Sequence, residues 1–246
     1  MNKLILGTAA LALSAGMALA QDVVRLGTEG AYPPYNFIND NGEVDGFERE
    51  LGDELCARAE LTCEWVTNDW DSIIPNLVSG NYDAIIAGMS ITPERDAVVD
   101  FSEAYVPPTP SAYAATSEDA DIEGGVVAAQ TGTIQANHVV DTGATLLEFP
   151  TPDETVAAVR NGEADAVIAD KDFLVPVVAE GDMIFVGEDV PLGNGIGMAF
   201  RESDPDLKTK VDAAIQSMKA DGTLNDMIRK WFGDEALVWG DAEGGN

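Results

Sequence analysis

The chain has 246 residues, 46% of them hydrophobic, and carries 44 Asp and Glu against 13 Lys and Arg, with one His and two Cys. A formal net charge of −31 repels nucleic acid and anionic lipid surfaces, which removes both from the expected partners. The length suits either one large core or two lobes of about 100 residues.

Residues 1–20 carry Lys3 as their only charge, followed by an apolar run that closes on Ala18, Leu19 and Ala20. This is the pattern of a secretory signal peptide cleaved before Gln21. The run is short and interrupted by Gly7, Ser14 and Gly16, so it does not suit a membrane anchor. The residue directly after the cleavage site is Gln21 and not a cysteine, so no lipid anchor is expected, and a soluble, exported mature protein is. A strand is predicted over 23–28, and residues 29–35 (EGAYPPY) break it with glycine and two prolines into a loop suited to function. Helical spacing runs over 47–59. Cys56 and Cys63 are expected to pair in an oxidising compartment. On one continuous helix their Cα atoms would lie about 10 Å apart, beyond the limit of about 7 Å, so the helix must stop near residues 60–62 before a strand over 63–66. The bridge is a structural staple that leaves no sulfur for catalysis or metal.

A helix over 71–79 closes at Gly80, and residues 80–88 (GNYDAIIAG) open a unit that recurs at 162–170 (GEADAVIAD), matching at glycine, aspartate, alanine, isoleucine and alanine. Each copy reads as a helix-ending glycine, a turn and a short buried strand. Two lobes of one architecture are therefore expected, with the strand ends at Gly88 and Asp170 facing a shared cleft. Thr92 and Pro93 read as N-cap and first position of a short helix reaching residue 99. Residues 107–110 (PPTP) form an extended crossover. A second α/β set follows: strand 126–129, helix from Thr133, strand 146–149, helix 153–160, strand 164–169, helix from Asp172 and strand 183–186. The chain returns near 193–197, and helices over 204–220 and 223–232 dock on the first lobe. The two crossovers make a two-strand hinge.

Arg95 falls in the first turn of the helix begun at Thr92, where the helix dipole disfavours a cation, which suggests an anion to hold, with a carboxylate matching the guanidinium fork. A solvated pair with Glu94 or Asp96 is the alternative. Residues 130–135 (QTGTIQ), containing Thr133 and Gln135, read as an anion nest at a helix start or as an ordinary capped helix. Asp170 suits an ammonium group or capping of the helix behind it. Glu29, Tyr32 and Trp70 suit a cleft in which aromatic faces sandwich an alkyl or cationic side chain and Glu29 supplies the counter-charge, although aromatics also fill cores. His138 is the lone histidine, so a zinc site or a histidine-based triad is not expected, and no catalytic residue is assigned.

Together GTEGAYPPYNF (27–37), the GF-plus-acidic segment (46–51), the ELC turn with its second cysteine, WDSIIPNL (70–77), AGMSITPER (87–95), QTGTIQ and DGTLNDMIRKWF (221–232) resemble the periplasmic solute-binding proteins of polar amino-acid ABC importers, with arginine-binding and lysine/arginine/ornithine-binding members most similar. The resemblance implies an α/β, two-lobed periplasmic-binding-protein-like (type II) fold, with 21–110 and 194–246 in lobe 1 and 111–193 in lobe 2. It implies that Arg95, Ser90 and Thr133 grip an α-carboxylate, that Asp170 and the carbonyl of Gly88 take the α-ammonium, that Trp70 and Tyr32 flank the side chain, and that Glu29 and Gln135 read its polar end. The expected ligand is a cationic amino acid delivered to an inner-membrane ABC permease by a monomer that needs no cofactor. The alternative is an arogenate or cyclohexadienyl dehydratase-like enzyme on the same fold. Where the family has GF-D-x-D-L, this chain has Glu48 and Glu50, a change expected to lie in a helix remote from the ligand. Residues 107–110 are expected to stiffen the hinge.

Overall fold

The computed structural model describes residues 23–240, and the expected signal peptide lies outside the described residues. Strand β1 (Val23–Thr28) leads into a small antiparallel sheet of β2 (Ala31–Tyr32), β3 (Asn36–Ile38) and β4 (Val44–Asp45). The expected loop is thus partly strand. Helix α1 (Phe47–Arg58) ends before β5 (Thr62–Thr67), and Cys56 and Cys63 form a disulfide with Cα atoms 6.3 Å apart. A 3-10 turn (Trp70–Ser72) precedes α2 (Ile73–Val78) and β6 (Ala84–Ile85). Thr92 caps α3 (Pro93–Asp96), accepting from the Arg95 backbone N–H, and that helix is shorter than expected. Strand β7 (Asp100–Phe101) follows.

After residues 107–110, β8 (Ser111–Ala115) is a fully buried strand that no alternation in SAYAA announces. Then come β9 (Val126–Gln130), α4 (Ile134–Thr142), β10 (Thr145–Phe149), α5 (Pro152–Arg160), β11 (Ala166–Asp170), α6 (Lys171–Ala179) and β12 (Ile184–Val190), the last longer than its expected 183–186. The chain returns through β13 (Ala199–Phe200) to α7 (Pro205–Asp221) and α8 (Thr223–Phe232).

The strands form two five-stranded sheets of matching plan, β5-β1-β6-β13-β7 and β10-β9-β11-β8-β12. In each, three parallel strands are followed by an antiparallel fourth. The repeated units supply β6 and β11, the third strand of each sheet. Even their aspartates act alike: Asp83 accepts from the Arg25 backbone N–H on β1 and Asp165 from that of Val126 on β9, tying each repeat to the strand beside it. The crossovers run side by side, with Ile196 N–H donating to the Val106 carbonyl at 3.1 Å. Helices α1, α7 and α8 pack together beside the first sheet through Leu51, Leu55, Ile215, Met218, Leu224 and Ile228, all 1% exposed or less.

Candidate functional site

Parallel strands leave loops at their carboxyl ends, and here those ends converge. Glu29 and Tyr32 follow β1, Trp70 follows β5, Gly88 and Ser90 follow β6, Gln130 ends β9, Thr133 caps α4, and Asp170 ends β11. Together with Arg95 and Gln135 they line one cleft, so all nine residues singled out from the sequence surround the same space.

Arg95 emerges from α3 with its guanidinium stacked over the Trp70 ring, 5.3 Å from the centroid. Nη1 donates to the Ser90 carbonyl at 2.9 Å, and Nη2 lies 3.5 Å from the Gly132 carbonyl across the cleft. Neither Glu94 nor Asp96 pairs with it, and among the described residues Arg95 has no ion pair. Burial pulls its pKa down to about 10 against the opposing pull of Asp170. A half-buried guanidinium held by neutral carbonyls retains its demand for an anion.

Asp170 is the N-cap residue of α6 yet makes no capping bond. Its carboxylate instead accepts from the Tyr32 hydroxyl at 2.8 Å and from Gln135 Nε2 at 2.9 Å. Gln135 also donates to the Ser111 hydroxyl. Burial, with Asp172 nearby, pushes the Asp170 carboxyl up to about 6, while its hydrogen bonds and Arg95 pull it down. Glu29 is pushed up to about 7 by burial, opposed by a 2.6 Å hydrogen bond from Gln130 Nε2. Tyr32 stacks on Phe173 with centroids 4.5 Å apart, which carries the first lobe's loop onto the second. Gly88 adopts φ +62°, a backbone conformation that strains other residues, and a Cβ there would stand 3.3 Å from the Tyr32 ring, close enough that the ring would have to give slightly. The Thr133 hydroxyl accepts from Ala136 N–H and donates to the Gln130 carbonyl.

Residues 24–234 match the bacterial extracellular solute-binding proteins, family 3. The chain belongs to that family. An L-arginine-binding protein of Pseudomonas aeruginosa is 32% identical over 252 residues, covering 94% of this chain and 97% of its own. A periplasmic His/Glu/Gln/Arg/opine family-binding protein from Silicibacter pomeroyi, solved in complex with lysine, matches the structure with a TM-score of 0.87 at 72% identity, covering 88% of this chain and 100% of its own. An ancestral amino acid-binding protein, a precursor of cyclohexadienyl dehydratase, matches at a TM-score of 0.78 and 30% identity, over 85% of this chain and 95% of its own. Each of the three is a binding protein, and the fold is that of the two-lobed periplasmic binding proteins.

Within this family 3 protein the arrangement departs from the sequence expectation in three respects. Gln135 stands beside Asp170, and Gln130 is the residue that meets Glu29. Gln130 drew no expectation because QTGTIQ reads through its backbone; its place at the end of a strand, like Gly88 and Asp170, is the signal that identifies it. Tyr32 is committed through its hydroxyl to Asp170 rather than left as a free aromatic wall. Glu48 is not remote: its carboxylate accepts from the backbone N–H of Gly88, a residue of the cleft wall, at 2.6 Å.

Proposed function

We propose that this family 3 protein binds a free amino acid with a cationic side chain, of the lysine, arginine, ornithine or histidine class, between its two lobes. The carrying observation is the charge count of the cleft: one guanidinium, Arg95, and two carboxylates, Asp170 and Glu29. With both carboxylates ionised the lining bears a net charge of about −1, the complement of a molecule with one carboxylate, one α-ammonium and one side-chain cation. In this reading Arg95, Ser90 and Thr133 hold the carboxylate, Asp170 and the Gly88 carbonyl take the α-ammonium, and Glu29, oriented by Gln130, takes the side-chain cation over Trp70. The mature protein, exported to the periplasm after cleavage before Gln21, works as a monomer and delivers the ligand to an inner-membrane ABC permease. It performs no catalysis.

Thermal unfolding of protein stripped of ligand tests this against a panel of free amino acids. A ligand at about a hundred times its dissociation constant adds about 2.7 kcal/mol of stability. A rise in Tm with the cationic class is expected; a rise confined to neutral or acidic amino acids discards the charge argument. Incubation with arogenate or prephenate is expected to yield no aromatic product, and steady turnover lost on mutating Asp170 would replace the carrier reading with an enzymatic one.

A further inference from the structure

Glu48 is the second residue of α1, fully buried, with no cation paired to it among the described residues. A solvated acid of a helix first turn is the ordinary reading of such a position. Here the carboxylate points inward and accepts three hydrogen bonds from three separate segments. Oε1 takes the Gly88 backbone N–H and the Tyr105 hydroxyl, and Oε2 takes Asn36 Nδ2 at 2.7 Å. Burial pushes this carboxyl above the usual range, and the three hydrogen bonds oppose that push.

Each donor leads to working machinery. Gly88 lines the cleft. Asn36 passes the contact on, since its Oδ1 accepts from the Gly30 backbone N–H at 2.7 Å, next to Glu29. Tyr105 sits at the first crossover, its N–H donating to the Ile196 carbonyl at 2.8 Å and its own carbonyl accepting from Trp239 Nε1 at 3.0 Å. The start of α1 reinforces the grip, with the N–H groups of Phe47 and Glu48 donating to the carbonyls of Pro34 and Tyr35.

We infer that Glu48 is a positioning residue for ligand binding: one buried carboxylate registers the Glu29–Tyr32 loop, the Gly88 turn and the Tyr105 crossover against one another without touching ligand. The inference rests on the cleft being the ligand site. Only a group with two acceptor oxygens and no donor satisfies all three partners. An amide at this position turns a donor toward Asn36 or toward the Gly88 and Tyr105 pair. Asn36 cannot resolve the conflict by flipping, because its oxygen is held by Gly30, so the conflict is handed on to the loop that carries Glu29.

The test is a cycle of variants with L-lysine as probe. Glu48→Gln is expected to weaken lysine binding by about tenfold or more, measured by calorimetry below the melting range, and to speed amide hydrogen exchange at Gly30 and Gly88 in ligand-free protein. Asn36→Asp alone sets two carboxylates face to face and is expected to weaken binding as well. The double variant Glu48→Gln with Asn36→Asp restores complementarity, because the relocated carboxylate accepts from both Gly30 N–H and the new amide; it is expected to recover most of the affinity and the exchange protection. If Glu48→Gln alone does not fold, the lysine affinity and Gly30 exchange of Asn36→Asp and of the double variant decide: recovery of both in the double variant supports the inference, and no recovery overturns it. Additive losses, failure of both to fold, or a lowered Tm with lysine affinity and Gly30 exchange unchanged would overturn the inference. If wild-type protein binds no cationic amino acid, the proposed function falls, and the ligand-free exchange data still decide the role of Glu48.

Discussion

Arg95 has neutral partners on the protein side and faces the cleft, so its truncation removes the counter-charge of the ligand carboxylate and little else. Arg95→Ala is expected to cost about 2 to 5 kcal/mol of binding free energy, about thirtyfold or more in Kd, with Tm of the unliganded protein nearly unchanged. Calorimetry and a thermal melt on the same sample check this. Glu29→Gln is expected to weaken lysine about tenfold or more, since a hydrogen bond to a charged group is lost, while a neutral amino acid is affected little. The raised carboxyls give these residues a pH signature. Glu29 and Asp170 have folded pKa values of about 7 and about 6, above their ordinary ranges. The folded, unliganded chain therefore holds protons that the unfolded chain releases, and this contribution to its stability declines as pH rises from about 4 through about 7. A cationic ligand requires both groups ionised and must expel those protons, so lysine affinity is expected to climb from about pH 5 and level off above about pH 7. Titrations across that range check the sign, and Glu29→Gln is expected to move the plateau down toward pH 6. The nine cleft residues were legible because residue type, a place at a strand end or in the first turn of a helix, and motif coincided at them. Glu48 was not, since an acid in the first turn of a helix looks the same in sequence whether it faces water or a buried cluster of donors.

At the scale of elements, the lobes touch through more than the cleft itself. The Tyr35 hydroxyl donates to Asp172 on α6 at 3.1 Å, behind the ligand-lining residues. Tyr35→Phe keeps the ring packed against Phe47 and Phe232 and deletes only this tie. It is expected to weaken ligand two- to tenfold, about the worth of one hydrogen bond, with the loss in the off-rate, read by stopped-flow fluorescence. The disulfide lies away from this contact, at the α1–β5 turn, and neither cysteine lines the cleft. Replacing both by serine is expected to lower stability by about 2 to 3 kcal/mol and to leave lysine affinity unchanged, as a urea titration and a binding isotherm would show. Most elements were readable from period, caps and glycines: the two repeats mark equivalent strands, and Thr92 and Thr133 cap the helices they were expected to cap. Strand β8 escaped because it is a buried central strand of small residues, where alternation has no reason to appear. The pairs β2 to β4 escaped because two- and three-residue strands among turn residues carry no period.

The whole molecule carries a net charge of −31, spread along the chain. Self-repulsion of this size opposes compactness and is screened by salt, so Tm is expected to rise between about 10 mM and 0.5 M potassium chloride, independently of any ligand. Calorimetric scans at several salt concentrations check this, and a flat response would show that the carboxylates are already compensated locally. The sheet plan has a further consequence. The second sheet draws its five strands from one uninterrupted stretch, Ser111 to Val190, whereas in the first sheet β13 lies between β6 and β7. A chain read out from its amino end can therefore finish the later sheet before the earlier one. Until Phe200 has been made, β6 has no partner on that side and β7 has no strand to pair with. Order of synthesis and order of completion run in opposite directions, and the half that begins first depends on the last part of the message for its closure.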